Sequence, residues 1–241
     1  MGKKIAVMQP YIFPWLGYFQ LIDAVDKFII YDDVNFIKRG WINRNRILLN
    51  NSPHMFSIPL IKPSQNRLIT ETFVNEEVYP EWKRKFLRTL EYGYYKKADF
   101  FNQTYNIVEE ILNYDISSKT ISELCYMAMS KISIFLEINT DIIKTSCGYN
   151  NRHLKGPDRI MDFCEQEKAS VYINSIGGKE LYSHDFFEEK NIKLNFISTS
   201  DVKYSQTKND FISHLSIIDM LMFLSKEEII NIIKTEYKLV E

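Results

Sequence analysis

The 241-residue chain has little of what commonly announces a function. Its three cysteines, Cys125, Cys147 and Cys164, are far apart and form no C-x-x-C pair, which argues against a zinc ribbon or a disulfide framework. Reduced, mostly buried thiols are the expectation, with Cys147 beside Gly148 an inert thiol rather than a nucleophile. The four histidines show neither H-x-x-x-H nor H-E-x-x-H spacing, so no metal site is expected from them. A Walker loop and a G-x-S-x-G elbow are both missing. The formal net charge is -1, so no bulk field draws the chain to nucleic acid or anionic lipid. No apolar run approaches the roughly 20 residues that span a bilayer. The amino-terminal run ends at Gln9-Pro10 without a signal-peptide core or cleavage site. A cytoplasmic protein without membrane insertion is therefore expected. Internal repeats, low-complexity tracts and flexible linkers are absent too.

What is present is concentrated near the start. The apolar run Ile5-Ala6-Val7-Met8 reads as a buried strand, and Leu21-Ile22-Asp23-Ala24-Val25 reads as a helix. Between them stands Gln9-Pro10-Tyr11-Ile12-Phe13-Pro14-Trp15-Leu16-Gly17-Tyr18-Phe19-Gln20. A polar-aromatic turn between a first strand and a first helix sits at the carboxyl edge of a parallel sheet, where open α/β sheets bind ligands. Further strands are expected at 27–31, 54–60, 69–74, 141–145, 170–174 and 192–197. Helical spacing over about 80–138 predicts three consecutive helices. Later helices are expected from Gly156-Pro157, at 179–189 after Gly177-Gly178, at 211–224 and at 226–237. Strands alternating with helices predict one α/β domain over 1–241, a Rossmann-like parallel sheet with a helical insertion.

Several clusters have the chemistry of a ligand site. In the first turn, Tyr11 and Tyr18 offer stacking faces, Gln9 an amide, and Gly17 a close backbone approach to phosphate or sugar. The bland alternative is a Pro-kinked turn with core aromatics. Asp32-Asp33 at a strand end suit Mg2+ ligation or general-base work on an amine, and equally a capped turn. Adjacent strand residues face opposite ways, so at most one would meet a ligand. Arg39, Arg44 and Arg46, interleaved with Trp41 and Asn43, suit a nucleotide diphosphate, since Arg binds phosphate bidentately and Trp stacks. A solvated loop is the alternative. Single-stranded nucleic acid needs similar groups, but the neutral overall charge argues against it. Lys155 and Arg159 flank a helix start, a natural anion site. Asn174 followed by Gly177-Gly178 forms another strand-to-helix turn with free backbone N–H groups.

Four stretches carry a family resemblance. They are Met8-Gln9-Pro10-Tyr11-Ile12-Phe13-Pro14-Trp15-Leu16-Gly17-Tyr18-Phe19-Gln20-Leu21-Ile22, Asp32-Asp33-Val34-Asn35-Phe36-Ile37-Lys38-Arg39-Gly40-Trp41-Ile42-Asn43-Arg44-Asn45, Tyr172-Ile173-Asn174-Ser175-Ile176-Gly177-Gly178-Lys179-Glu180-Leu181-Tyr182 and His214-Leu215-Ser216-Ile217-Ile218-Asp219-Met220-Leu221. Together they resemble the WbqC-like family along essentially the whole chain. That resemblance implies a role in bacterial surface-polysaccharide (O-antigen, lipopolysaccharide) synthesis, where amino sugars are N-acylated or aminoacylated. A weaker likeness is to nucleotidylyltransferase-like (HUP-like) enzymes such as pantothenate synthetase. Here Trp15-Leu16-Gly17-Tyr18 stands in the H-x-G-H place, without either histidine.

The implied activity is an acyl- or aminoacyltransferase, forming an amide on a nucleotide-activated amino sugar. The donor would be activated with ATP and Mg2+ or arrive as an acyl thioester. Asp32 or Asp33 would take the amine proton; the arginines and Lys155 would hold phosphates. The alternatives are a non-catalytic sugar-nucleotide-binding protein and a nucleotidylyltransferase. A homo-oligomer is left open.

Overall fold

β1 (Lys4–Met8) buries Ile5, Ala6 and Val7 completely or nearly so, because both faces of the sheet it belongs to are covered. After α1 (Leu16–Asp23) the chain returns as β2 (Lys27–Ile30), parallel to β1. The computed structural model describes residues 2–207 and 210–241. A hairpin follows, β3 (Arg44–Leu49) and β4 (Ser52–Ser57), then three helices, α2 (Tyr79–Tyr94), α3 (Phe101–Leu112) and α4 (Ile121–Phe135). The second half runs β5 (Asp141–Ile143), α5 (Gly156–Gln166), β6 (Val171–Ser175), α6 (His184–Glu188), β7 (Lys193–Thr199), α7 (Ile217–Phe223), α8 (Lys226–Thr235) and β8 (Tyr237–Val240).

The six-stranded sheet has the order β5-β2-β1-β6-β7-β8, parallel except for β8. The chain is thus mixed α/β with a mostly parallel central sheet. Side chains alternate between two cores, as strand geometry requires. Ala6, Phe28, Ile30, Ile173 and Ile197 face α1, α7, α8 and the inserted helices. Ile5, Val7, Ile29, Tyr172, Leu194 and Phe196 face Phe163 of α5 and Phe187 of α6. From β1 the sheet grows first toward β2 and β5, then in the opposite direction through β6 and β7. The order therefore reverses between β1 and β6, which opens a crevice beyond their carboxyl ends.

Everything from 31 to 140 is inserted between β2 and β5. Its helices are tied to the carboxyl-terminal part of the chain. Thr104 Oγ1 donates to the Leu221 carbonyl at 2.6 Å, and Phe100 N to that of Met222 at 3.0 Å. Asp219, fully buried, accepts from Tyr94 at 2.7 Å, Tyr204 at 2.7 Å and Gln206 at 2.8 Å. Burial pushes the Asp219 carboxyl up, against the pull of those three donors. Tyr94 in turn accepts from Leu48 N at 2.8 Å, linking α2 to the hairpin.

Several expected elements take another form. Arg44 and Arg46 of the basic cluster, weighed as a ligand site or a solvated loop, lie on β3, and the expected strand at 54–60 is β4, which lies outside the main sheet. Asn50 and Asn51, with φ of 49° and 57°, make the two-residue turn between them, a conformation Asn tolerates. Residues 69–74 contain a 3-10 turn, Ile69–Glu71, closed by Thr72 Oγ1 on the Leu68 carbonyl at 2.8 Å. The helix expected at 179–189 is split into a 3-10 segment, Ile176–Leu181, and the short α6; two glycines at its start are poor helix formers. The helix expected from 211 begins only at Ile217, after His214 at φ 56° and the cap Ser216, whose Oγ accepts from Ile218 N. β8 takes the end of the helix expected at 226–237.

Candidate functional site

The loop between β1 and α1 is held from two sides. Asn45 of β3, 5% exposed, donates from Nδ2 to the carbonyls of Ile12 at 3.2 Å and Phe13 at 2.8 Å. From the other side Ser216 Oγ donates to the Phe13 carbonyl at 2.8 Å, and Ile217 N to that of Pro14 at 3.0 Å. These bonds fix Phe13 at φ 44°, a conformation rare for a bulky residue. The result is a rigid turn that presents Tyr11 and Trp15 to the crevice beyond β1 and β6.

Adjoining clefts meet around Trp15 and His214. One, of about 300 Å3, is lined by Tyr11, Pro14, Trp15, Trp41, Asn45, Arg46 and His214. The next, about 190 Å3, runs over the carboxyl ends of the strands, past Met8, Gly17, Tyr18, Ser175 and Thr199. A third, about 70 Å3, continues under the loop after β7 and includes Asp201 and Tyr204. Arg46 lies 5.3 Å from the Trp41 ring centroid and Arg44 lies 5.8 Å from it, so two guanidinium groups hold that indole. Arg46 Nη2 donates to the His214 carbonyl at 3.1 Å, while its buried Nε has no partner. A guanidinium with unspent donors beside aromatic faces can take up phosphate or carboxylate. Burial raises the Tyr11 hydroxyl above its ordinary pKa, so it is a hydrogen-bond donor in this cleft at neutral pH.

The remaining sequence-predicted residues divide by place. Tyr11, Gly17, Tyr18, Trp41 and Arg46 come together in these clefts. Gly17 does so for a reason other than phosphate approach: a Cβ there would stand 2.5 Å from the Trp15 ring and 2.6 Å from Thr199 Oγ1. Its lack of a side chain lets the protein's own groups close over the helix start. The Tyr18 hydroxyl donates to the Gln9 carbonyl at 2.7 Å and is spent there. Asn43 donates to the Ile58 carbonyl at 3.0 Å, and Arg44 to the Gly40 and Arg39 carbonyls, so both brace the turn before β3. Arg39 and Lys155 are exposed. Asn174 is buried at the end of β6, and a Cβ on Gly178 would stand 3.0 Å from its Nδ2; Gly177 is exposed.

Asp32, Asp33 and Arg159 form a separate buried cluster. Asp32 accepts from Ser122 at 2.6 Å, Thr145 at 2.8 Å and Ser146 N at 3.1 Å. Asp33 takes both oxygens to Arg159 Nη2 at 2.6 Å, and Ser146 Oγ donates to it as well. Arg159 also donates to Asn151 at 2.8 Å and lies 4.8 Å from the Tyr31 ring. Both carboxylates are below 4% exposed and line none of the clefts around Trp15. Every oxygen of the two carboxylates has at least one donor, and together they pin the chain after β2 to the segment after β5. Among the described residues no group of three or more His, Cys, Asp or Glu side chains is placed to hold a metal ion. No helix of the described residues is long and apolar enough to cross a membrane.

Residues 9–231 match the WbqC-like protein family. The chain belongs to the WbqC-like family. The matched region begins at Gln9, the first residue of the clamped loop, and takes in every residue of the clefts except Met8. One relative of this WbqC-like chain is the uncharacterized protein Rv1507c of Mycobacterium tuberculosis (strain ATCC 25618 / H37Rv). It is 29% identical over 227 residues, which cover 93% of this chain and 95% of the relative. No solved structure matches this WbqC-like chain. Trp15, Thr199 and His214 are cleft residues that sequence reasoning did not single out, and Asn45 is one it placed in the basic cluster without a role of its own. Trp15, Asn45 and His214 stood inside the family motifs, and the aromatic character of Trp15 and His214 was the available signal.

Proposed function

We propose that this WbqC-like protein binds a nucleotide-activated amino sugar in the clefts around Trp15 and joins an acyl or aminoacyl group to its amine. The observation that carries this reading is the meeting of two indoles, a tyrosine and a guanidinium in one crevice. Trp41, Tyr11 and Trp15 supply ring faces for a base or sugar, and Arg46 supplies charge for a diphosphate or donor carboxylate. The parallel-strand order β5-β2-β1-β6-β7 supports a Rossmann-like description of the sheet, with 80–138 an insertion in one domain. The family resemblance supports the sugar substrate and a cytoplasmic setting.

The test is turnover. Purified protein is incubated with UDP-, dTDP- and GDP-linked amino sugars, and with either acetyl-CoA or Mg2+-ATP and free amino acids. Mass spectrometry is expected to find one sugar nucleotide carrying a new amide. No new mass and no ligand-dependent rise in Tm overturns the reading. A second reading, binding without catalysis, is favoured by the occupied lone pairs of Asp32 and Asp33. It predicts thermal stabilisation by a sugar nucleotide with no product under any donor. Pyrophosphate release without an amide would point instead to nucleotidyl transfer.

A further inference from the structure

An amide-forming step needs a proton acceptor beside the attacking amine. The acceptor must be exposed to the cleft, unpaired and near neutral in pKa by type. Of the titratable side chains in the clefts, Tyr18 is bonded to Gln9 and Tyr204 to Asp219. Arg46 stays charged, and Tyr11 keeps its proton because burial disfavours the phenolate. Asp201 lies in the smallest cleft, 3.4 Å from Lys203. Among the described titratable side chains, His214 is the one that lines all three clefts, and it is exposed there.

His214 is also held with unusual care. Its φ of 56° is left-handed, which costs free energy for a residue with a Cβ and persists only where surroundings enforce it. Arg46 grips its carbonyl, and Ser216 N donates to the Arg46 carbonyl at 2.8 Å, so β3 and the loop clasp each other. Its ring lies on Trp15, 5.1 Å between centroids, and Nδ1 is 2.9 Å from Ser213 Oγ. The role of proton acceptor requires Nδ1–H to donate to Ser213 Oγ, which leaves the lone pair on Nε2. An orienting partner and a place within reach of the reacting group are what a general base requires.

We propose that His214 is the proton acceptor of the amide-forming step, an inference that rests on the function proposed above. The amine nitrogen of the sugar attacks the carbonyl carbon of an acyl thioester or acyl phosphate donor, forming the C–N bond. The bond from that carbon to sulfur or phosphate oxygen breaks, and its electron pair leaves with the thiolate or phosphate. The surplus ammonium proton passes to His214 Nε2 and from there to solvent.

The experiment compares wild type with His214→Asn, since Asn tolerates the same left-handed backbone. The substrates are the sugar nucleotide and donor that give product with wild type. The expected result is a kcat about 10²–10⁴-fold lower with KM for the sugar nucleotide little changed. Wild-type kcat should rise with pH along a limb that the variant lacks. Arg46, Tyr11, Tyr18, Tyr204 and Asp201 face the same space, and a limb that survives unchanged in the variant overturns the assignment to His214. A variant with wild-type kcat overturns the inference alone. Wild type that neither turns over nor binds any sugar nucleotide overturns the function and the inference together. A second measurement needs no variant: diethyl pyrocarbonate acylation of His214, followed by mass spectrometry, should track loss of activity and be blocked by the sugar nucleotide. Full acylation with retained activity overturns the proposal.

Discussion

Two polar clusters stand at the same edge of the sheet, and they differ in what they have left over. Around Asp32, Asp33 and Arg159 the carboxylates are buried and their acceptors are taken by Ser122, Thr145, Ser146 and Arg159. Around Trp15, Trp41, Arg46 and His214 there is open volume, exposed ring surface and an unpartnered guanidinium nitrogen. In the sequence both are dense in charge and aromatic groups. The lesson is that residue type marks a candidate, and the hydrogen-bond account decides between scaffold and site.

The comparison can be broken from the scaffold side first. Arg159→Ala leaves Asp33 buried without its cation, and urea unfolding should show a loss of about 3–5 kcal/mol. If it unfolds like wild type, the cluster is not the structural tie described here. Asn45→Ala sits between the two regions. It strips the Ile12 and Phe13 carbonyls of a donor and should cost about 1–3 kcal/mol while loosening the cleft. Unchanged stability in that variant would separate the hairpin from the loop.

A third network, at the opposite edge of the sheet, sharpens the comparison through pH. Burial raises the Glu167 carboxyl, but hydrogen bonds from Lys3, Tyr149 and Lys27 outweigh it and bring the pKa down to about 2. A carboxyl depressed on folding contributes stability that is present above its unfolded value and lost as pH falls toward the folded one. Stability should therefore drop by an amount on the order of 1–2 kcal/mol between roughly pH 4.5 and 2, discounted for the partly exposed lysines. Glu167→Gln should abolish that part of the acid titration; an identical acid curve would remove the network from the account. The smallest effect on folding belongs to the open cleft. Trp41→Ala should cost about 1 kcal/mol of stability, since the partly exposed indole gives up its two guanidinium contacts. The same substitution should weaken sugar-nucleotide binding by about 1–3 kcal/mol, read by calorimetry. A stability loss matching that of Arg159→Ala would erase the distinction.

Much of the sheet was legible because buried parallel strands are continuous apolar runs, as in β1, β2, β6 and β7. The three inserted helices were legible from 3.6-residue spacing, and Thr120 and Glu123 form a reciprocal cap where one begins. The hairpin was hidden because Arg44, Asn45 and Arg46 look like a solvated loop; the Asn50-Asn51 pair was its only local signature. The 3-10 segment after β6 and the late start of α7 depend on tertiary hydrogen bonds that no periodicity encodes. For the site, types and loops could be read, but not accounts. Nothing in the order of residues says that Ser146 and Arg159, over a hundred positions away, occupy both aspartates. Nor does it say that His214 reaches the same space as Trp15.

The carboxylate of Asp219 has a temporal consequence. During synthesis, the three inserted helices have left the ribosome's exit before the acceptor for Tyr94 exists, and so have Thr104 and Phe100 before Leu221 and Met222. The inserted block must wait, its inward hydroxyls unanswered, until Asp219 and Leu221 have been made. Nascent chains halted before residue 216 should consequently show this block open to protease, and chains released past 224 should show it closed.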